Sequence, residues 1–202
     1  MNEVTCAEHY DALITEDNDP VFDPEPLQRY MDKWDGSKFM DLLSLSKQYS
    51  VLEIGVGTGR LARRVAPHCN RFVGIDLSCL TVERGRDNLS AFHNAELICG
   101  DFLSYRFSET FDVIYSSLTF LHIADKEAAI KKVFQLLNVN GKFVLSIDKA
   151  QDTTLQYENR FVKTYPDTPE CIIGLLQNSG FLVEKQLETE FAYLFSAKKA
   201  QP

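Results

Sequence analysis

Glu53, Gly55, Gly57 and Gly59 stand at alternate positions in Val51-Leu52-Glu53-Ile54-Gly55-Val56-Gly57-Thr58-Gly59, where an apolar run feeds a glycine-rich turn. Glycines so spaced let a backbone turn sharply and come close to a ligand that side chains would exclude. A dinucleotide-binding turn carries its third glycine five places after the first, so that the next helix packs tightly. Arg60 holds that place here, and the third glycine comes one residue early. Glu53 would also bring a carboxylate near any bound pyrophosphate, which repels it. A ligand with hydroxyls and a positive centre suits this turn better.

Two more acids fall at strand ends. Asp76 closes a second apolar run and is placed to accept hydrogen bonds from ribose hydroxyls. Asp101 follows a third run and can accept from the exocyclic amine of an adenine, while Phe102 adds apolar contact and a backbone N–H. Taken singly, each acid reads equally well as a helix cap or turn former. In register with the glycine turn they describe an adenosine pocket, and S-adenosylmethionine (SAM), with its ribose, ammonium and sulfonium, fits it.

The elements that must position these residues follow from periodicity. After the first strand, Leu61, Ala62, Val65 and Ala66 form a helical stripe that Pro67 ends. Residues 71–77 are a second strand, and Ser78 caps a helix with Val82, Gly85 and Leu89 on one face. Residues 96–99 make the third strand. Residues 111–118 make the fourth, apolar enough to be buried on both faces. Asp125 caps an amphipathic helix with Ala129, Ile130, Val133, Phe134 and Leu137 inward and Lys126, Lys131 and Lys132 outward. Residues 138–141 read as a turn and 142–147 as the fifth strand. Thr168-Pro169 opens a helix that Gly180 closes. Residues 181–187 and 191–197 are strands too close for a crossover, so they form an antiparallel hairpin. The alternation predicts a doubly wound α/β fold with a mostly parallel sheet.

The N-terminal segment differs. Residues 17–26 are acidic and proline-rich, hence extended or loop, while 26–34 and 37–45 read as two helices. Residues 1–48 thus form a helical segment beside a ligand-binding domain of residues 49–202. The segment serves either as a lid over the strand ends or as a cover for a sheet edge.

From about residue 50 onward the chain resembles the class I SAM-dependent methyltransferases. Glu53 to Gly59 looks like their first motif, Gly74-Ile75-Asp76-Leu77-Ser78 their second-strand motif, and Gly100-Asp101-Phe102 their adenine-contacting motif. Residues 111–117 resemble their fourth strand, whose end lies beside the methionine part of the cofactor. The resemblance implies a Rossmann-like seven-stranded sheet of order 3-2-1-4-5-7-6 with the last strand reversed. It further implies that Gly55 and Gly57 approach the cofactor by backbone and that Asp76 binds the ribose. Asp101 and Phe102 would hold adenine, and the backbone at Ser116 and Ser117 would face the methionine end. Glu53, Gly59 and Leu77 join the cofactor set as members of these motifs. The implied reaction moves a methyl group from SAM to a nucleophile and leaves S-adenosylhomocysteine (SAH). Alignment and exclusion of water supply much of the catalysis.

His122, just past the fourth strand, is the candidate general base for a hydroxyl or amine acceptor, or else a packed or capping histidine. Tyr10, Tyr30 and Trp34 either line a substrate mouth, shielding a sulfonium by cation–π attraction, or anchor the N-terminal helices. The long connection 148–167 carries Asp148 and Tyr157, read as substrate contacts or as plain surface residues.

Composition narrows the partners. A net charge of −8 disfavours a nucleic-acid backbone, and the short basic clusters (Arg60, Arg63, Arg64; Lys131, Lys132; Lys198, Lys199) read as solvated faces. No apolar run approaches the ~20 residues of a membrane span, and residues 1–10 lack the order of a secretory signal. A cytoplasmic protein without membrane partners is expected. The five cysteines and four histidines are scattered, so neither disulfides nor a metal site are expected, and the thiols read as reduced, packed apolar groups. Ser116-Ser117-Leu118-Thr119 stands where an Asn/Asp-Pro-Pro-Tyr or Pro-Cys signature would mark methylation of adenine, glutamine or cytosine C5. A small-molecule O, N or S acceptor is left. The competing readings are a regulatory protein that binds SAM without turnover and a nicotinamide oxidoreductase, against which Glu53, Arg60 and the closing hairpin all count.

Overall fold

A computed structural model of the chain describes residues 1–200. A short strand β1 (Asn2–Glu3) leads into α1 (Cys6–Thr15), followed by a 3-10 turn at Pro20–Phe22, then α2 (Glu25–Asp35) and α3 (Ser37–Leu43). The alternating part begins with β2 (Ser50–Ile54), α4 (Ala62–Val65), β3 (Arg71–Asp76), α5 (Cys79–Asn88) and β4 (Ala95–Cys99). It continues through β5 (Phe111–Ser117), α6 (Lys126–Leu136) and β6 (Leu137–Asp148). A small hairpin of β7 (Thr154–Tyr157) and β8 (Arg160–Lys163) precedes α7 (Pro169–Asn178), β9 (Phe181–Glu188) and β10 (Ala192–Lys199).

The main sheet has the order β4-β3-β2-β5-β6-β10-β9, with β10 antiparallel to both neighbours. Counting only its seven strands, this is the expected 3-2-1-4-5-7-6 arrangement. Both faces are covered, which is why β2 and β5 read as near-continuous apolar runs. On one face Leu52, Ile54, Ile114, Phe143 and Leu145 pack with Ile130 of α6 and Ile172 of α7. On the other, Val51, Phe72, Val113 and Tyr115 pack with Phe39 of α3, Val65 of α4 and Val82 of α5. Each such fully buried side chain stabilises the fold by about 1.5–3 kcal/mol.

The caps sit where side-chain chemistry puts them. Ser78, Asp125 and Thr168 each accept the N–H three residues on, opening α5, α6 and α7. Four local readings are corrected. The stretch 138–141 lies inside β6, where the pairing with β5 shifts register and Asn140 takes φ +65°. Four residues of β6 there stand opposite the single Asp112 of β5, an irregularity within the strand where the composition reads as a turn. Pro67 does not end the helical stretch but sits within a 3-10 turn, Ala66–His68, that extends it. Lys126 faces inward at 8% exposure, donating to the carbonyls of Phe120 and Tyr165 and pairing with Asp167 at 3.1 Å. Its position on the helix suggested solvent, but long-range partners turn it inward.

The fourth correction concerns the thiols. Cys79 and Cys99 are joined in a disulfide, while Cys6, Cys69 and Cys171 are free, the last of them exposed. The two bonded cysteines lie 20 positions apart in sequence. The pairing becomes visible only once β3 and β4 lie side by side.

The sequence reading also left α1, β1, β7 and β8 unmarked. β1 pairs with β8, and β8 with β7, in a separate three-stranded sheet whose strands are only two to four residues long. Segments that short carry almost no periodicity.

Candidate functional site

A cavity of about 470 Å³ opens at the carboxyl ends of β2, β3, β4 and β5, with α1 across it. Its floor is the glycine turn. Gly55 has φ +80°, and a Cβ there would stand 1.9 Å from Thr119 Oγ1 in the loop after β5. The turn can pass under that loop only without a side chain. Gly57 has φ +56° and a Cβ would meet nothing within 4 Å, so the backbone is bare toward the cavity. Gly59 plays a different part: a Cβ there would press on Leu89 at 3.2 Å, and the residue does not line the cavity.

Asp76 at the tip of β3 braces this turn. Its Oδ2 accepts from Gly57 N at 2.9 Å and its Oδ1 from Ser78 N at 3.0 Å. Burial lifts its pKa despite those bonds. Glu53 is 3% exposed and accepts from the Tyr115 hydroxyl at 2.8 Å. Burial holds its pKa well above the usual carboxylate range. Leu77, Asp101 and Phe102 complete this side of the wall. Asp101 accepts from Leu103 N (3.2 Å) and Ser104 N (3.0 Å), fixing the turn that carries Phe102.

Ser117 lines the cavity, whereas Ser116 does not: its Oγ is fully buried and donates to Ile54 O at 2.9 Å. Ser117 Oγ donates to Asp35 Oδ2 at 2.6 Å, and Arg60 grips the same carboxylate through two bonds of 2.9 and 2.5 Å. Arg60 is therefore no solvated face, as its place in a basic cluster indicated. It clamps the end of α2 to the glycine turn through a carboxylate with no solvent exposure.

The opposite wall comes from α1, whose Cys6, Tyr10, Leu13 and Ile14 face the cavity. The Tyr10 hydroxyl lies 2.9 Å from His122 Nε2, while His122 Nδ1 is buried without a partner. Burial, helped by His9 and Lys126, depresses the His122 pKa to about 4, and burial raises that of Tyr10. The imidazole is thus neutral at physiological pH. Asp11 of α1 accepts from Ser78 Oγ at 2.5 Å and Leu80 N at 3.3 Å, docking this helix on the start of α5. Farther along, Arg160 reaches Glu16 at 2.5 and 2.7 Å and His9 at 3.1 Å.

Besides Gly59 and Ser116, four of the five substrate candidates lie outside the main cavity. Tyr30 and Trp34 form an aromatic cluster with Phe191. Trp34 Nε1 donates to Asp148 Oδ2 at 3.0 Å. Asp148 borders a second, smaller cavity of about 120 Å³ that shares Leu118 with the first. Tyr157 packs against His9 and the Arg160 guanidinium, 4.9 Å from its ring centre. Sequence reasoning missed Cys6, Leu13, Ile14 and Asp11. A signal existed: Thr5 and Glu8 form a capping box, after which the apolar positions 6, 10, 13 and 14 keep helical spacing.

A family profile described as "Methyltransferase domain" matches residues 51–141, the span from β2 into β6. An uncharacterized methyltransferase of Geobacillus kaustophilus is 31% identical over 171 residues, covering 74% of this chain and 76% of that protein. A malonyl-[acyl-carrier protein] O-methyltransferase of Ilyobacter polytropus is 28% identical over 169 residues, covering 75% of this chain and 63% of its own length. The crystal structure of the N-methyltransferase NodS from Bradyrhizobium japonicum with SAH superposes with a TM-score of 0.74 at 19% identity, covering 96% of this chain and 98% of that one. At that identity the likeness is one of fold. On the family profile, the 31%-identical relative and the sheet order, this chain belongs to the class I SAM-dependent methyltransferases.

Proposed function

We propose that the larger cavity holds SAM and that the protein methylates the O, N or S atom of a small molecule, releasing SAH. The observation that carries this is the bare backbone at Gly57, open to the cavity and braced by Asp76. Around it stand the carboxyls of Glu53, Asp76 and Asp101, while the nearest cation, Arg60, is neutralised by Asp35. That charge balance suits a ligand with an ammonium and a sulfonium and opposes a polyphosphate. SAM supplies a methyl group already activated by positive sulfur.

The chain's own residues do the rest. Asp76 keeps a carboxylate at ribose depth, and Phe102 with Leu77 offers apolar surface to adenine. Gly55, Gly57 and the backbone at Ser117 leave room for the methionine end. Ser116 and Gly59 contribute by packing the strand and turn rather than by contact. On the acceptor side, Tyr10 and neutral His122 can draw a proton from an incoming hydroxyl or amine, with the imidazole behind the phenol. Residues 1–48 cover the domain formed by 49–202, with α1 as the part that must shift for ligands to pass. An O- and an N-methyltransferase both appear among the similar proteins, in keeping with a chemistry that several nucleophiles can use. A cavity roofed by a helix favours an acceptor small enough to be enclosed, and the acidic surface disfavours nucleic acid. No helix among the described residues is long and apolar enough to cross a membrane, and we place the activity in the cytoplasm.

Isothermal titration with SAM, SAH and NAD, repeated on Asp76→Asn, tests the cofactor reading. SAM and SAH should bind the native protein and bind the variant far more weakly. Binding of NAD alone would overturn it. SAH release on incubation with pooled alcohols, amines, thiols and carboxylic acids identifies the acceptor.

A further inference from the structure

Cys79 and Cys99 sit where the two tips of the adenosine side part company. β3 and β4 stay in register up to Asp76 opposite Cys99, and Gly100 N then donates to Asp76 O at 2.8 Å. Beyond that bond the strands diverge, one into Leu77-Ser78 and the other into Asp101-Phe102. Leu77, Asp101 and Phe102 line the cavity. Cys79 is the first residue of α5 and is exposed, and Cys99 is the last of β4 and half-buried. Their disulfide therefore ties the ribose-side tip to the adenine-side tip at the cavity rim. Asp11 docks α1 on Ser78 and Leu80, the two neighbours of Cys79. One covalent bond thus fixes both tips and the seat of the helix that covers them.

We propose that the Cys79–Cys99 pair is a redox modification site that sets the affinity of the cavity for its cofactor, an inference that rests on the reading of that cavity as the SAM site. Disulfides in the cytoplasm are mostly transient, catalytic or redox-sensing, and the exposed Cys79 gives a reductant access. A thiolate of a dithiol attacks the Cys79 sulfur, and the S–S bond breaks with Cys99 leaving as a thiolate that takes up a proton. The second thiol of the reductant, giving up its own proton, then displaces Cys79, which is protonated in turn. The dithiol departs as a cyclic disulfide, and the protein has gained two electrons and two protons. A low-molecular-weight disulfide such as glutathione disulfide reverses the exchange. With the bond closed, the tips are preorganised. With it open, binding must order them again, which lowers affinity.

The test compares protein oxidised with glutathione disulfide and protein reduced with dithiothreitol, the bond state of each being verified by peptide mass. SAM titration should give a dissociation constant about five-fold or more lower for the oxidised form, at least the low end of ordinary coupling between linked sites. Cys79→Ser/Cys99→Ser should match the reduced protein in either buffer. Hydrogen exchange without ligand gives a second readout that does not depend on SAM: residues 76–81 and 99–104 should exchange faster on reduction. Equal SAM affinity in both states would overturn the inference while leaving the cofactor reading intact. Failure of SAM to bind in either state would overturn both. Unchanged exchange at the two tips would remove the physical basis of the inference.

Discussion

The two walls of the cavity are built in opposite ways. The β2–β3–β4 side is made of contiguous strand-turn units: Gly57 binds Asp76 across 19 positions, and Asp76 binds Ser78 across two. The α1 side is assembled from remote partners, with Tyr10 meeting His122 across 112 positions and Arg160 meeting His9 across 151. The first wall is rigid because each turn is locked by the neighbouring strand. The second is a helix docked by side-chain bonds to separate elements, with only the two-residue β1 before it paired in a sheet, and such docking opens at lower free energy than a strand ladder. In the function proposed above, the first wall is a fixed cradle for the cofactor and the second an adaptable wall for the acceptor. Substitutions on the first should change cofactor affinity or folding, and those on the second should change turnover.

The sharpest break of that contrast is Gly55→Ala. Its methyl would collide with Thr119 in a left-handed backbone. A loss of about 4 kcal/mol or more in urea unfolding, with no SAM binding, is expected. Gly57→Ala serves as its partner, since its methyl meets only open cavity. It should lose about 1–2 kcal/mol from backbone strain yet bind SAM much more weakly. Next, Asp35→Ala leaves Arg60 without its buried partner and should cost about 3–5 kcal/mol in the same assay. On the other wall, Tyr10→Phe should keep the SAM dissociation constant and lower kcat for a hydroxyl or amine acceptor by at least about ten-fold. Loss of SAM affinity instead would show that the α1 side is part of the cradle.

pH separates the walls more finely. The ionised form of Glu53 attracts a cation, and burial raises its pKa. SAM affinity should therefore rise with pH through that raised value and then level off, measured by titration from acid pH upward. Glu53→Gln should flatten the profile. His122 works on stability. Its folded value of about 4 lies below the ordinary 6.5, so the unfolded chain binds the extra proton between them. The native state should lose stability as pH falls through that window, and His122→Asn should reduce the slope, leaving the share of His9, whose value burial also lowers. The smallest effect expected is that of Trp34→Phe. It deletes one bond to Asp148, outside the main cavity, for about 1 kcal/mol and unchanged kinetics.

The same contrast governs what could be read from the amino acids. The strand-helix alternation, the closing hairpin and the glycine turn follow from signals a few residues wide, whereas the sheet order comes from the family resemblance, and the contacts of Gly55 with Thr119 and of Asp76 with Gly57 show only in the fold. Arg60 was misjudged because its fate depends on Asp35, 25 positions earlier. Trp34, Asp148 and Tyr157 carried chemistry-bearing side chains, but only tertiary contacts determine that they stand apart from the cradle. α1 escaped notice although its capping box was legible, because four of its ten residues are polar and its apolar face is matched to a cavity. The disulfide was hidden for the same reason as the Tyr10–His122 pair: neither partner announces the other.

The reversed strand β10 has a consequence for biogenesis. It supplies Leu194, Phe195 and Ala197 to the two cores and occupies the outer edge of β6. Roughly fifty residues separate the end of β6 from the end of β10, or about 3–10 s at ribosomal speed. During that interval the emerging chain displays an unzipped, strongly apolar ribbon. An open strand edge of this kind is a template for pairing with other chains until β10 closes it, so the topology ties correct folding to the stretch between β6 and β10.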